Sequence, residues 1–150
     1  MNKRKFWYTF LIVIAALIFA TYDISFAQEA ALEVVVEVSR MVYRMDEEIT
    51  ATVYIKNKST EALEVTEPAL DNRSLEIEIV QPDAKRFKLL NIQGINLKKI
   101  RLYPEKRIKF IAKFIPELLG EFQIAAKYYG FEDIVLVSNA ATIFVIGTGR

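Results

Sequence analysis

The side chains that carry most chemistry near neutral pH are missing, because the 150 residues include no histidine and no cysteine. Without histidine the side chain most used for general acid and base work near neutral pH is absent, and so is the commonest metal ligand. Without cysteine there is no thiolate nucleophile, and the two absences together remove zinc and copper sites of ordinary type. Ser39, Ser59, Ser74 and Ser138 each fall in or beside a predicted turn or strand end. No motif supplies the lysine or carboxylate partner that a serine nucleophile needs, so they read as turn residues. Asp46-Glu47-Glu48 offers hard oxygen ligands that would suit calcium, but no spaced loop completes a shell and the run reads as a solvated turn. Asn57-Lys58-Ser59 and Asn72-Arg73-Ser74 match the glycosylation sequon, an accidental match in a bacterial export product. No cofactor is implied, and catalysis is not expected.

Charge is the remaining signal. Residues 28–84 hold 5 Lys/Arg against 13 Asp/Glu, residues 85–113 hold 10 against Glu105 alone, and residues 114–150 hold 2 against 4. Two arrangements account for this segregation. Acidic strands carrying Glu76 and Glu78 could lie beside basic ones carrying Lys109 and Lys113, each cross-strand pair contributing roughly 0.2–1 kcal/mol. Alternatively Lys85, Arg86, Lys88, Lys98, Lys99, Arg101, Lys106 and Arg107 form a basic face, attractive to anionic lipid headgroups, glycans or an acidic protein. Nucleic acid is not expected, since no stacking aromatics interleave with these cations. Tyr43, Tyr54, Tyr103, Tyr128 and Tyr129 read as sandwich packing with a wet hydroxyl, Tyr128 being the one expected to be buried.

The first 27 residues set the compartment. Lys3, Arg4 and Lys5 precede an apolar run from Phe6 to Ala20, and a short polar segment ends in Ser25-Phe26-Ala27. That is the pattern of a secretory signal peptide cleaved before Gln28. The other reading is an uncleaved anchor in the inner membrane, although a spanning helix wants about 20 apolar residues and Asp23 interrupts the run. A membrane contact is expected only if the leader is retained. A cysteine-free export product of this kind points to the bacterial periplasm or exterior, with residues 28–150 forming one domain of ordinary size.

Period-two alternation dominates from Leu32 onward and helical spacing is nearly absent, which predicts strands. Leu32, Val34, Val36 and Val38 share one face, as do Ile49, Ala51, Val53 and Ile55. A short strand over Ala62 to Val65 follows, then Leu75 to Val80, a turn at Gln81-Pro82-Asp83-Ala84 and a return strand over Phe87 to Asn91. The stretch Ile95 to Leu102 is apolar and basic, and Lys98-Lys99 breaks its alternation as a bulge or loose edge would. Ile108, Phe110, Ala112 and Phe114 predict another strand, then Phe122 to Tyr128, a loop at Gly130 to Asp133, and a last strand from Ile134 to Ile146 broken at Asn139. Seven to nine strands at intervals of about 8 to 12 residues, with no βαβ signal, predict an all-β antiparallel sandwich. Its core is expected to hold Val34, Val36, Val53, Ile55, Ile77, Ile79, Phe110, Phe122 and Ile124.

Three segments carry a resemblance: Glu48-Ile49-x-Ala51-x-Val53-x-Ile55-x-Asn57, then Leu102-Tyr103-Pro104-Glu105-Lys106, then Pro116 to Gly120-Glu121-Phe122-x-Ile124-x-Ala126. Together they resemble the immunoglobulin-like modules of bacterial surface proteins, of macroglobulins and of the intracellular proteinase inhibitor of bacilli. The resemblance implies an immunoglobulin-like sandwich in which Gly120-x-Phe122 stands where a Gly-x-Tyr step would open a late strand as the tyrosine corner. Phe122 lacks the hydroxyl of that corner, and the disulfide and core tryptophan of antibody domains are absent. The expected function is a non-catalytic exported module that binds a protein, glycan or envelope component, or supports an assembly. The alternative is a proteinase inhibitor acting through an exposed loop, Glu67 to Ser74 or Gly130 to Asp133.

Overall fold

The computed structural model describes residues 31–70, 73–89 and 98–148. The leader, its cleavage point and the possible anchor fall outside the described residues. Within them the chain is all β: β1 (Leu32–Val38), β2 (Val42–Arg44), β3 (Ile49–Asn57), β4 (Leu63–Thr66), β5 (Leu75–Val80), β6 (Arg86–Leu89), β7 (Lys99–Leu102), β8 (Arg107–Phe114), β9 (Gly120–Phe131), β10 (Ile134–Val137) and β11 (Ala141–Ile146). One sheet has the order β1-β3-β8, a second the order β2-β11-β9-β5-β6 with β10 beside β9, and β4 and β7 form a separate ribbon. Alternation decides which way each strand faces: every second residue of β3, from Ile49 to Asn57, is buried, as period-two patterning on a half-buried sheet requires. Residues of both larger sheets join one apolar core, with Val53 and Ile55 from the first and Ile77, Phe122 and Ile124 from the second. The result is a two-sheet sandwich.

Several sequence expectations shift. Phe110 is only partly buried against the core, because β8 ends its sheet and nothing among the described residues flanks it there. No bulge occurs at Lys98-Lys99: β7 pairs with β4 in unbroken register from Leu63↔Leu102 to Thr66↔Lys99. The loop at Gly130 to Asp133 shrinks, since β9 runs on through Phe131 and only Glu132 and Asp133 turn, Glu132 with φ 49°. The final strand divides into β10 and β11, both against β9. Val42–Arg44 was not anticipated as a strand, and it pairs parallel to β11.

That short β2 exists because Tyr43 pins the crossing from the first sheet to the second. The ring is buried, its hydroxyl lies 3.0 Å from Ser39 Oγ and accepts the Arg40 N–H at 3.2 Å, and the Arg40 guanidinium sits 4.6 Å from the ring centroid. At the far end Asn139 reaches back. Its side-chain Oδ1 accepts the Val36 N–H at 2.9 Å and its Nδ2 donates to Val36 O at 3.1 Å, so a side-chain amide does for β1 what a neighbouring strand would do.

Two glycines are required by close packing. Gly120 has φ 122°, and a Cβ there would stand 3.0 Å from the Pro82 ring. A Cβ on Gly130 would overlap the Tyr128 phenol, which lies across it, fully buried, and donates to Thr66 O. Burial pushes the Tyr128 hydroxyl above its ordinary pKa of 10.0. The phenolate is therefore disfavoured in the fold, and its contribution to stability is complete below about pH 10 and is lost as pH rises above that. Wild-type stability should fall by up to about 1.4 kcal/mol per pH unit more steeply there than that of Tyr128→Phe. Coincident slopes in denaturant titrations at pH 9 to 11 would refute the assignment.

Candidate functional site

Of the eight cations, Arg86 and Lys88 lie on β6, Lys99 and Arg101 on β7 and Arg107 at the start of β8, while Lys85, Lys98 and Lys106 each immediately precede one of these strands. β6 and β8 end their respective sheets, and Phe87 meets Phe114 edge to face with centroids 6.2 Å apart, so these two edges close the same side of the sandwich. The cations differ in what they touch. Arg86 pairs with Glu78 at 2.9 Å, Lys88 with Glu76 at 2.8 Å, Lys85 with Asp83 at 2.8 Å and Lys98 with Glu67 at 3.1 Å. Lys127, on β9, adds contacts of 3.8 and 3.4 Å to Glu76 and Glu78. The hydrogen bond from Arg86 and then that from Lys127 hold the Glu78 carboxyl below its usual range.

The acids on β5 thus find their partners on β6 and β9. Lys109 and Lys113 are not those partners, because β8 belongs to the other sheet.

The second half of the segment is different. Lys99, Arg101, Lys106 and Arg107 have no ion pair among the described residues. Arg101 lies 5.8 Å from the Tyr103 centroid and Arg107 4.3 Å from that of Tyr54, contacts that leave the guanidinium charge uncompensated. Lys109 on β8 also lacks an ion pair among the described residues, whereas Lys113 meets Glu48 at 2.7 Å. Positive charge is therefore concentrated from β7 into β8, and largely neutralised on β6.

The other candidates resolve into local structure. Glu47 accepts the Arg44 N–H at 2.9 Å and pairs with Arg40 at 3.3 Å, and that backbone bond lowers its pKa. Ser74 is buried, donating to Glu67 O at 2.8 Å and accepting the Ala69 N–H at 3.0 Å. Those bonds draw in both ends of the 67–74 loop. Asn57 of the first sequon is buried, with its amide committed to Glu61 O at 2.7 Å, Leu102 O at 2.9 Å and the Ser59 N–H at 2.8 Å. A cavity of about 490 Å³ opens between Leu70, Arg73, Leu75, Glu76, Lys88 and Tyr129, where Lys88 and Glu76 are already paired with each other.

No protein-family profile matches the sequence, and no curated protein matches it. Solved structures do. The Spo0M sporulation control protein from Bacillus subtilis is 18% identical over 77% of this chain and 49% of that one, with a TM-score of 0.49. This chain therefore spans about half the length of that protein. The CARDB domain of PF1109 from Pyrococcus furiosus is 13% identical over 77% of this chain and 87% of its own, at a TM-score of 0.49. Northeast Structural Genomics Consortium target SoR45 is 10% identical over 79% and 90%, at 0.50. Identities this low are likenesses of fold alone, and what this chain has in its own right is a β-sandwich whose Lys99, Arg101, Lys106, Arg107 and Lys109 have no ion pair among the described residues.

Proposed function

We propose that this chain is an exported, non-catalytic binding or structural module of immunoglobulin-like topology that engages an anionic protein, glycan or envelope component through the cations between Lys99 and Lys109. The observation that carries this reading is the division of charge. Lys85, Arg86, Lys88 and Lys98 are held by acids, while Lys99, Arg101, Lys106, Arg107 and Lys109 have no ion pair among the described residues. Exposed like charges held together cost free energy unless a counter-charge is recruited. The topology is supported by β1, which pairs in one sheet before the chain crosses over so that β2 pairs in the other, and by long β9 at the centre of the second sheet. Export rests on the leader pattern, and a native chain whose intact mass includes residues 1–27 would count against cleavage.

Binding to polyglutamate, to heparin and to vesicles with anionic headgroups tests the charge reading. The complex should weaken steeply as salt shortens the screening length from roughly 30 Å at 0.01 M to about 10 Å at 0.1 M. A variant carrying Lys99→Glu, Lys106→Glu and Arg107→Glu should lose binding with an unchanged melting curve. Failure of all three polyanions to bind at low salt would overturn the proposal.

A further inference from the structure

Sheet edges expose unpaired N–H and C=O groups, and three edges of this sandwich are treated differently. Antiparallel neighbours alternate, one residue bonding its partner strand and the next directing its groups to the other side. Asn57 donates to Lys106 O at 3.0 Å and Lys58 to Ala31 O at 2.9 Å, which sets the phase of the ladders that continue through β1, β3 and β8. On β1 this phase points the groups of Val36 outward, and they are the ones that Asn139 occupies. On β2 the Arg44 N–H is taken by Glu47 Oε2.

On β8 the same phase turns Ile108, Phe110, Ala112 and Phe114 toward β3 and leaves the backbone of Arg107, Lys109, Ile111 and Lys113 facing out. Among the described residues nothing bonds to that side. The edge is eight residues long and its register has no shift.

The side chains agree with an absent neighbour. Ile108 and Phe110 point inward yet stay partly exposed, as residues at an uncovered core margin do. The outward row is Arg107, Lys109, Ile111 and Lys113, with Ile111 48% exposed. Lysines on an edge are a common guard against indiscriminate pairing, since they repel another basic strand. They do not repel an acidic one.

We propose that the free edge of β8 accepts an extended acidic polypeptide segment as an added strand. Its acidic residues would alternate toward Arg107 and Lys109, and its apolar residues would cover Ile108 and Phe110. Main-chain bonds supply affinity and alternate side chains supply selectivity in this mode of recognition. The inference rests on the charge reading above and gives it a geometry.

The test uses the full-length protein and three capped peptides of one composition: glutamate alternating with valine, the same residues scrambled, and the alternating peptide N-methylated at the amides that would pair. The alternating peptide should bind, with slowed amide exchange at Lys109 and Ile111, and both controls should bind at least about tenfold more weakly. Ile111→Pro removes an outward N–H without touching the ladder to β3, which edge strands tolerate, and should lose the same affinity while heparin binding is kept. Equal binding of all three peptides would overturn strand addition and leave the charge reading standing. Binding of none of them, with heparin and polyglutamate still bound, would overturn it too. If Ile111→Pro does not fold, the N-methylated peptide decides alone.

Discussion

Replacing Phe122 with alanine will lower stability by about 3–5 kcal/mol, the range for a buried aromatic ring removed from a core. The ring is 0% exposed and lies on β9 opposite Ile143 of β11, on the inner face of the central strand of the second sheet. A small cavity already borders it, lined also by Phe87 and Phe114, so truncation enlarges an existing void and the wall has little left to collapse onto. Against a total of about 5–15 kcal/mol for a domain of this kind, the loss should lower the melting temperature by roughly 10–20 °C. Chemical denaturation measures it directly. A change under about 1 kcal/mol would mean that Phe122 faces solvent, and with it the assigned faces of β9 would be wrong.

Asn57→Ala is expected to cost about 2–4 kcal/mol, because a buried polar group whose partner is removed keeps its desolvation penalty. The substitution leaves Leu102 O, Glu61 O and the Ser59 N–H without their present partners. Leu102 belongs to β7, so the loss should loosen the β4–β7 ribbon as well as the end of β3, and faster amide exchange in Leu63–Thr66 should accompany it. Asn57→Asp makes a sharper measurement. A carboxylate at this position keeps the acceptor, loses both donors and brings a charge into a site with 0% exposure. Burial raises the pKa of such a carboxyl, so this variant should be more stable at pH 4 than at pH 7 relative to wild type. Equal stability at the two pH values would show that the side chain reaches water.

The ribbon bears on the proposed binding because it carries Lys99 and Arg101 and delivers the chain into β8. A loosened ribbon should weaken polyanion binding without altering any cation. Asn57→Ala therefore separates charge from its placement.

Period two made the inward faces legible without a structure: Val53 with Ile55, Ile77 with Ile79, and Phe122 with Ile124 are buried because a strand has no other way to shelter apolar residues recurring at every second position. Phe110 shows where that logic stops, since it obeys the same period yet is left at a margin by the place of β8 in its sheet, which depends on residues distant in sequence. The eight cations were likewise visible as residues. Which of them were already neutralised was not, because Arg86 and Lys88 are paired by the β5–β6 register and Lys98 by the β4–β7 ribbon, and a one-residue slip would have reassigned every pair. The break expected at Asn139 falls between β10 and β11, and Asn57 is the last residue of β3. Only tertiary structure made Asn57 a buried bracket and set Asn139 against Val36, 103 positions away. A side-chain amide finds whichever backbone group the fold brings within reach, and local sequence carries no record of that encounter. The leader pattern is the opposite case, read entirely from local composition, and it lies outside the described residues.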